Sequence, residues 1–243
     1  MIHFRFGNIR LTHIGWLEER LPFLFISIPK AFQKKFPNEY RNVVTNAERL
    51  ETPYDLHMTL KHVLVLSGHD YVPHQSNACS KCGSFFNETE SERSCEDASI
   101  DMHWCTCTGY KLLDPGSRLG ELGAQFTLTK LNKNIAEVAE TARNCVPLKF
   151  HRVISARISS YEDGWYKNDT YVLVVFQTLP ETVLEVTLKL FYEDAIPTFE
   201  IEGYISRLDY YKFNSECVES KIYCYCASSL LFNMRYSHFL FEI

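Results

Sequence analysis

The first 78 residues of this 243-residue chain contain no cysteine. No apolar run approaches the roughly 20 residues of a helical membrane span. "LPFLFISIP" (21–29) and "YVLVVF" are strand-length, and the C-terminal "LLFNMRYSHFLFEI" is broken by polar residues, so a membrane-spanning helix is excluded. Basic residues are scattered and the formal net charge is −5. The chain therefore lacks the basic stripe that a phosphate backbone requires, which excludes nucleic acid as a partner. The opening "MIHFRFGNIR" has neither the apolar core nor the small-residue cleavage site of a signal peptide. What is present is 46% hydrophobic and 14% aromatic content, enough to bury one large core or two modest ones.

The nine cysteines stand at Cys79, Cys82, Cys95, Cys105, Cys107, Cys145, Cys217, Cys224 and Cys226. Cys79 and Cys82 have the C-x-x-C spacing of a zinc knuckle, with His103 and Cys105 as possible further ligands. Cys105/Cys107 and Cys224/Cys226 are C-x-C pairs, a spacing frequent where each sulfur bonds a different distant partner. Two glycosylation sequons, at Asn87 and Asn168, fall in polar stretches, the first inside the cysteine-rich segment. Together these features favour disulfides in an oxidising lumen over zinc in a cytosol, with one thiol free or paired between chains because the count is odd. Zinc remains the alternative.

Hydrophobic patterning predicts four regions. Residues 1–70 read as α/β: "LPFLFISIP" is a strand buried on both faces, as in a parallel sheet. Pro37 opens a helix carrying Tyr40, Val43, Val44, Ala47 and Leu50, which Pro53 ends, and Asp55 caps a second helix with the stripe Leu56, Leu60, Val63 and Leu64, stopping at Gly68. Residues 71–123 are turn-rich and aperiodic, a disulfide-stapled segment. Residues 124–226 combine one helix, with Leu131, Ile135, Val138, Ala139 and Ala142 at helical spacing, and a small antiparallel β-meander of "LKFHRVISARISS", "TYVLVVFQT", "VLEVTLKLFYE" and "TFEIEGYISRLDYY". Cys217, Cys224 and Cys226 clasp its end. Residues 227–243 stay unassigned.

Residues 15–29, "GWLEERLPFLFISIP", and 48–66, "ERLETPYDLHMTLKHVLVL", resemble a pattern of the alkaline phosphatase and sulfatase superfamily: a proline-ended strand followed by an Asp-led helix of the form D-l-x-x-T-l. More closely they resemble the secreted animal proteins grouped as domain of unknown function 229. "RSCEDASIDMHWCTC", "GYISRLDYY" and "YCYC" are similar to that family's cysteine-rich and C-terminal segments, so the resemblance covers about residues 4 to 226. It implies an α/β hydrolase-like fold in which two divalent metal ions clamp a phosphate or sulfate ester for a Ser, Thr or modified Cys nucleophile, and an extracellular location. It also implies an Asp-His-Gly metal motif just before "RFGNIR", where this chain has Met1 or Ile2 in place of the Asp and His3 out of register. The sequence thus reads as the C-terminal portion of such a protein, with no catalytic residue, no metal ligand set and no cofactor of its own. An upstream half-domain or a second copy would be its partner.

Several residues have a simpler role beside the functional one. His13 occupies the interval where some branches of the superfamily carry a further metal-binding His, and is the one metal candidate. Glu18, Glu19 and Arg20 read as a charged turn, His57 as a packing or hydrogen-bonding residue, His103 and Trp104 as an anchor, and "YEDGWYKND" (161–169) as a hairpin connection. Two other readings stand beside the hydrolase fragment: a secreted cystine-rich β module that binds a protein or a glycan, and a cytosolic zinc protein.

Overall fold

The computed structural model describes residues 8–70, 72, 75–114, 116–159, 169–210, 214–218 and 223–229. Met1, Ile2, His3 and Asn168 lie outside the described residues, as do 161–168 of the "YEDGWYKND" loop. The chain divides into two compact units, Pro22–Cys107, and Met1–Leu21 together with Thr108–Ile243.

In the larger unit, helix α1 (His13–Arg20) precedes strand β1 (Tyr110–Leu113), helix α5 (Arg118–Glu137), the short helix α6 (Ala139–Asn144) and strands β2 (Lys149–Ser159), β3 (Thr170–Leu179), β4 (Val183–Glu193) and β5 (Ile196–Arg207). The strands form one antiparallel sheet in the order β1-β2-β3-β4-β5. Each of β2 to β4 lies beside the strand that follows it in sequence.

Helix α5 covers one face of this sheet. Its buried residues, Gly120, Ala124, Thr127, Leu128, Leu131 and Ile135 among them, recur every three or four positions. They meet Val172, Val174 and Phe176 of β3 and Leu184, Val186 and Leu188 of β4, all fully buried. The helix lies close enough that a Cβ on Gly123 would stand 2.8 Å from Leu188 Cδ1, so a larger residue there would have to displace the Leu188 side chain. The opposite face carries Tyr171, Leu173 and Val175, also buried. Glu185 of β4 on that face pairs with Arg20 of α1 at 2.5 Å. With both faces covered, β3 reads as a nearly continuous apolar run rather than an alternating one.

The smaller unit contains α2 (Lys30–Lys35), α3 (Pro37–Asn46), α4 (Pro53–Leu66) and the cysteine-rich segment. Pro37 and Pro53 both sit in first turns, where the missing amide costs nothing. Pro53 therefore opens α4 instead of ending α3, and the cap is a reciprocal pair: the Thr52 backbone N–H donates to Asp55 Oδ2 at 2.8 Å.

Two expectations need correction. Residues 21–29 form no strand. Among its described residues the smaller unit has no strand to pair with this segment, and Pro22 and Pro29 lack amide donors. Phe23 and Phe25 are consequently 80% and 88% exposed. Among the described residues 8–70 the regular elements are thus all helical, and the described strands pair antiparallel, not parallel. Helix α4 also turns the other way: Asp55, Met58 and Thr59 are buried while Leu60, Val63 and Leu64 are exposed.

Candidate functional site

The residues that carry the superfamily resemblance, Asp55 and Thr59, lie four apart on α4 and hence on one face. Asp55 is 1% exposed and accepts hydrogen bonds from the Thr52 N–H and hydroxyl, the Gly83 N–H at 2.9 Å and both terminal nitrogens of Arg93, at 3.0 and 3.1 Å. Thr59 donates its hydroxyl to the Asp55 carbonyl and accepts the Phe85 N–H at 2.8 Å. The backbone of the cysteine-rich segment is thereby cleated onto the helix at Gly83 and Phe85. Around this cleat, Asn46 bonds the Phe85 and Asn87 carbonyls and the Thr89 N–H. Arg93 also donates to the Leu50 carbonyl at 2.9 Å.

Glu51 adjoins the cleat and accepts the Thr89 hydroxyl at 2.6 Å. Burial pushes its carboxyl up to about 7, opposed by that hydrogen bond and by Arg93 and reinforced by the Asp55 charge. Beside this group lies a cavity of about 220 Å³ bordered by Lys81, Ser84, Thr89, Arg93 and Asp97. Lys81 pairs with Asp97, and that hydrogen bond, with those from Ser94, holds the Asp97 carboxyl down at about 2.

Four disulfides staple the chain: Cys79–Cys82, Cys95–Cys105, Cys145–Cys224 and Cys217–Cys226, leaving Cys107 free. Cys224 and Cys226, the second C-x-C pair, go to different partners. Cys79 and Cys82 bond each other, so the two thiolates of the zinc reading are joined in one bridge. His103 is buried in a short 3-10 turn, Met102–Trp104, its ring edge-on to Trp104 at 4.7 Å. Asn87 is exposed.

In the larger unit, a cation and aromatic cluster surrounds α1. The helix begins at the Thr12 cap, whose hydroxyl accepts the Gly15 N–H at 3.1 Å. A Cβ on Gly15 would collide with the Ile9 carbonyl at 2.0 Å, so only glycine lets the preceding turn fold against the helix. His13 is exposed, stacks on Trp16 at 5.9 Å and places Nδ1 at 3.3 Å from an Arg157 guanidinium nitrogen. Arg20 and Arg157 lie over the Trp16 ring at 4.5 and 5.5 Å. Glu18, Glu19 and Arg20 belong to α1, not to a turn: Glu19 pairs with Arg10, and Arg20 is buried against Glu185. Burial pushes the Glu185 carboxyl up, while Arg20 pulls it down. His57 is exposed on α4.

The two clusters of described residues that bring three metal-ligand atoms together consist of cysteines alone: Cys95, Cys105 and Cys107, and Cys217, Cys224 and Cys226. All but Cys107 are in disulfides. Hard divalent ions acting on phosphate or sulfate esters need oxygen or imidazole ligands, and these sulfur sets do not fit them. Sequence reasoning missed Arg93 as the partner of Asp55, and Glu51 and Asn46 as partners of the cysteine-rich segment; an acidic residue and an arginine 38 positions apart carry no local signal.

No curated protein and no solved structure matches the chain. A family model does match, over residues 4–154 and thus over more than half of the sequence, and the chain belongs to that family, described as "Protein of unknown function (DUF229)".

Proposed function

We propose that the chain is an extracellular, cystine-stapled part of a phosphatase/sulfatase-like protein, with an architectural role and no ester hydrolysis of its own. The observation that carries this reading is the use of Asp55 and Thr59. The motif shared with the superfamily is spent on holding the Gly83 and Phe85 amides, so its chemistry is that of a structural cleat. Asp55 is committed to five donors, which leaves it no free lone pair directed at a metal or phosphate. The four bridges and the exposed acceptor Asn87 support the extracellular location and N-glycosylation at that residue.

The test is hydrolysis of aryl phosphates and aryl sulfates by purified chain, with and without zinc, manganese or calcium. Rates equal to the protein-free background are expected. Metal-dependent turnover that disappears in His13→Ala would overturn the reading and make His13 a ligand. A second reading, a β module that binds a protein or a glycan, is favoured by the exposed aromatic rings of Tyr192 on β4, Tyr204 on β5 and the following Tyr210.

A further inference from the structure

The sulfurs of Cys95, Cys105 and Cys107 all lie within 4.8 Å of one another, although the bridge uses only the first two. We propose that Cys107 is an exchange partner of this bridge, so that the folded segment interconverts between Cys95–Cys105 and Cys95–Cys107 pairing and its free thiol moves between Cys107 and Cys105.

The step is a thiol–disulfide exchange. The Cys107 thiolate attacks Cys95 Sγ; a bond forms between these sulfurs as the Cys95–Cys105 bond breaks. The electron pair leaves on Cys105 Sγ, which takes up the proton that Cys107 gave up. One bridge and one thiol are present before and after, so neither oxidant nor reductant is consumed. Attack on Cys105 Sγ would instead join residues two apart in a tight ring, which disfavours it. The two productive pairings close loops of almost equal span, 10 residues and 12 (107 − 95), so loop entropy hardly separates them.

The isomers differ in what they display. Cys105 is buried and Cys107 is half-buried, so in the structure as it stands the thiol is partly accessible, whereas in the exchanged form it starts from a buried position. The exchange therefore governs whether the segment offers a thiol to an outside disulfide, such as one on a second chain. Burial pushes the Cys107 thiol up, which keeps the thiolate fraction small and places the exchange among the slow rearrangements of minutes to hours. The proposal rests on the oxidised bridges and is independent of the superfamily reading.

The deciding experiment uses the oxidised full chain, incubated at neutral pH, quenched with acid, unfolded and treated with N-ethylmaleimide under mildly acidic conditions. Tandem mass spectrometry without reduction then locates the alkylated residue within 94–111. Label on both Cys107 and Cys105 is expected, with at least about a tenth on Cys105 given the nearly equal loops. Label confined to Cys107, or label on Cys95, overturns the proposal. In Cys105→Ser the expected product is a Cys95–Cys107 bridge with no free thiol; a folded variant with both of those cysteines alkylated would count against it. The wild-type measurement decides if that variant does not fold.

Discussion

Single side chains in this protein are governed by how completely they leave water. The Arg20–Glu185 pair has side chains 0% and 2% exposed, and the desolvation that raises the Glu185 carboxyl is offset by the guanidinium. Arg20→Ala would strand a buried carboxylate and remove the cation over Trp16, so a loss of about 3–5 kcal/mol in chemical denaturation is expected. Replacing both partners with apolar residues, as in Arg20→Met with Glu185→Leu, should cost markedly less; equal losses would show that the two groups are not coupled. Burial raises Glu51 as well, and its pH window can be named. Its carboxyl is raised from an ordinary 4.5 to about 7, so the folded unit favours the protonated form. The stability it contributes is full below pH 4.5 and is lost as the pH rises through 7. Amide protection factors at residues 83–89, which remove the intrinsic rise of exchange with pH, should fall across that window in the wild type and stay level in Glu51→Gln, which keeps an acceptor for Thr89. A flat wild-type profile would remove Glu51 from the account.

Elements behave according to what covers them. Helix α4 and the run at 21–29 are both rich in apolar residues, yet Phe23, Phe25, Leu60 and Val63 are exposed while Asp55 and Thr59 are buried. Two buried polar side chains are tolerable because each meets several partners at hydrogen-bond distance. Strand β3, by contrast, is buried for most of its length between two hydrogen-bonded neighbours. Amide exchange should therefore be fast at Leu24 to Ile28 and slow at Val172 to Phe176. Slow exchange at both would mean that 21–29 is paired in solution.

At the scale of the whole molecule, helical period, the first-turn Pro37 and short strand connections determined much by themselves: a helix opening at Pro37, a second near Asp55, one around 131, and four sequential strands pairing antiparallel, though not that Pro53 opens the second helix instead of ending the first. These are local signals, decided by residues within a few positions of each other. The odd cysteine count likewise required one unpaired sulfur within the chain, or a bridge between chains. Only the tertiary structure decided that Cys107 is the free one and that Cys145, just past the end of α6, closes a bridge to Cys224 across 79 positions. It also decided that β1 joins the sheet, that α1 belongs with the sheet while 21–29 finds no strand, and that the Asp55 face of α4 is the covered one. The physical reason is common to all of these. Periodicity states which residues share a face, but burial, ionisation and sulfur pairing depend on which distant segment arrives at that face, and that is fixed by contacts between residues far apart in the chain.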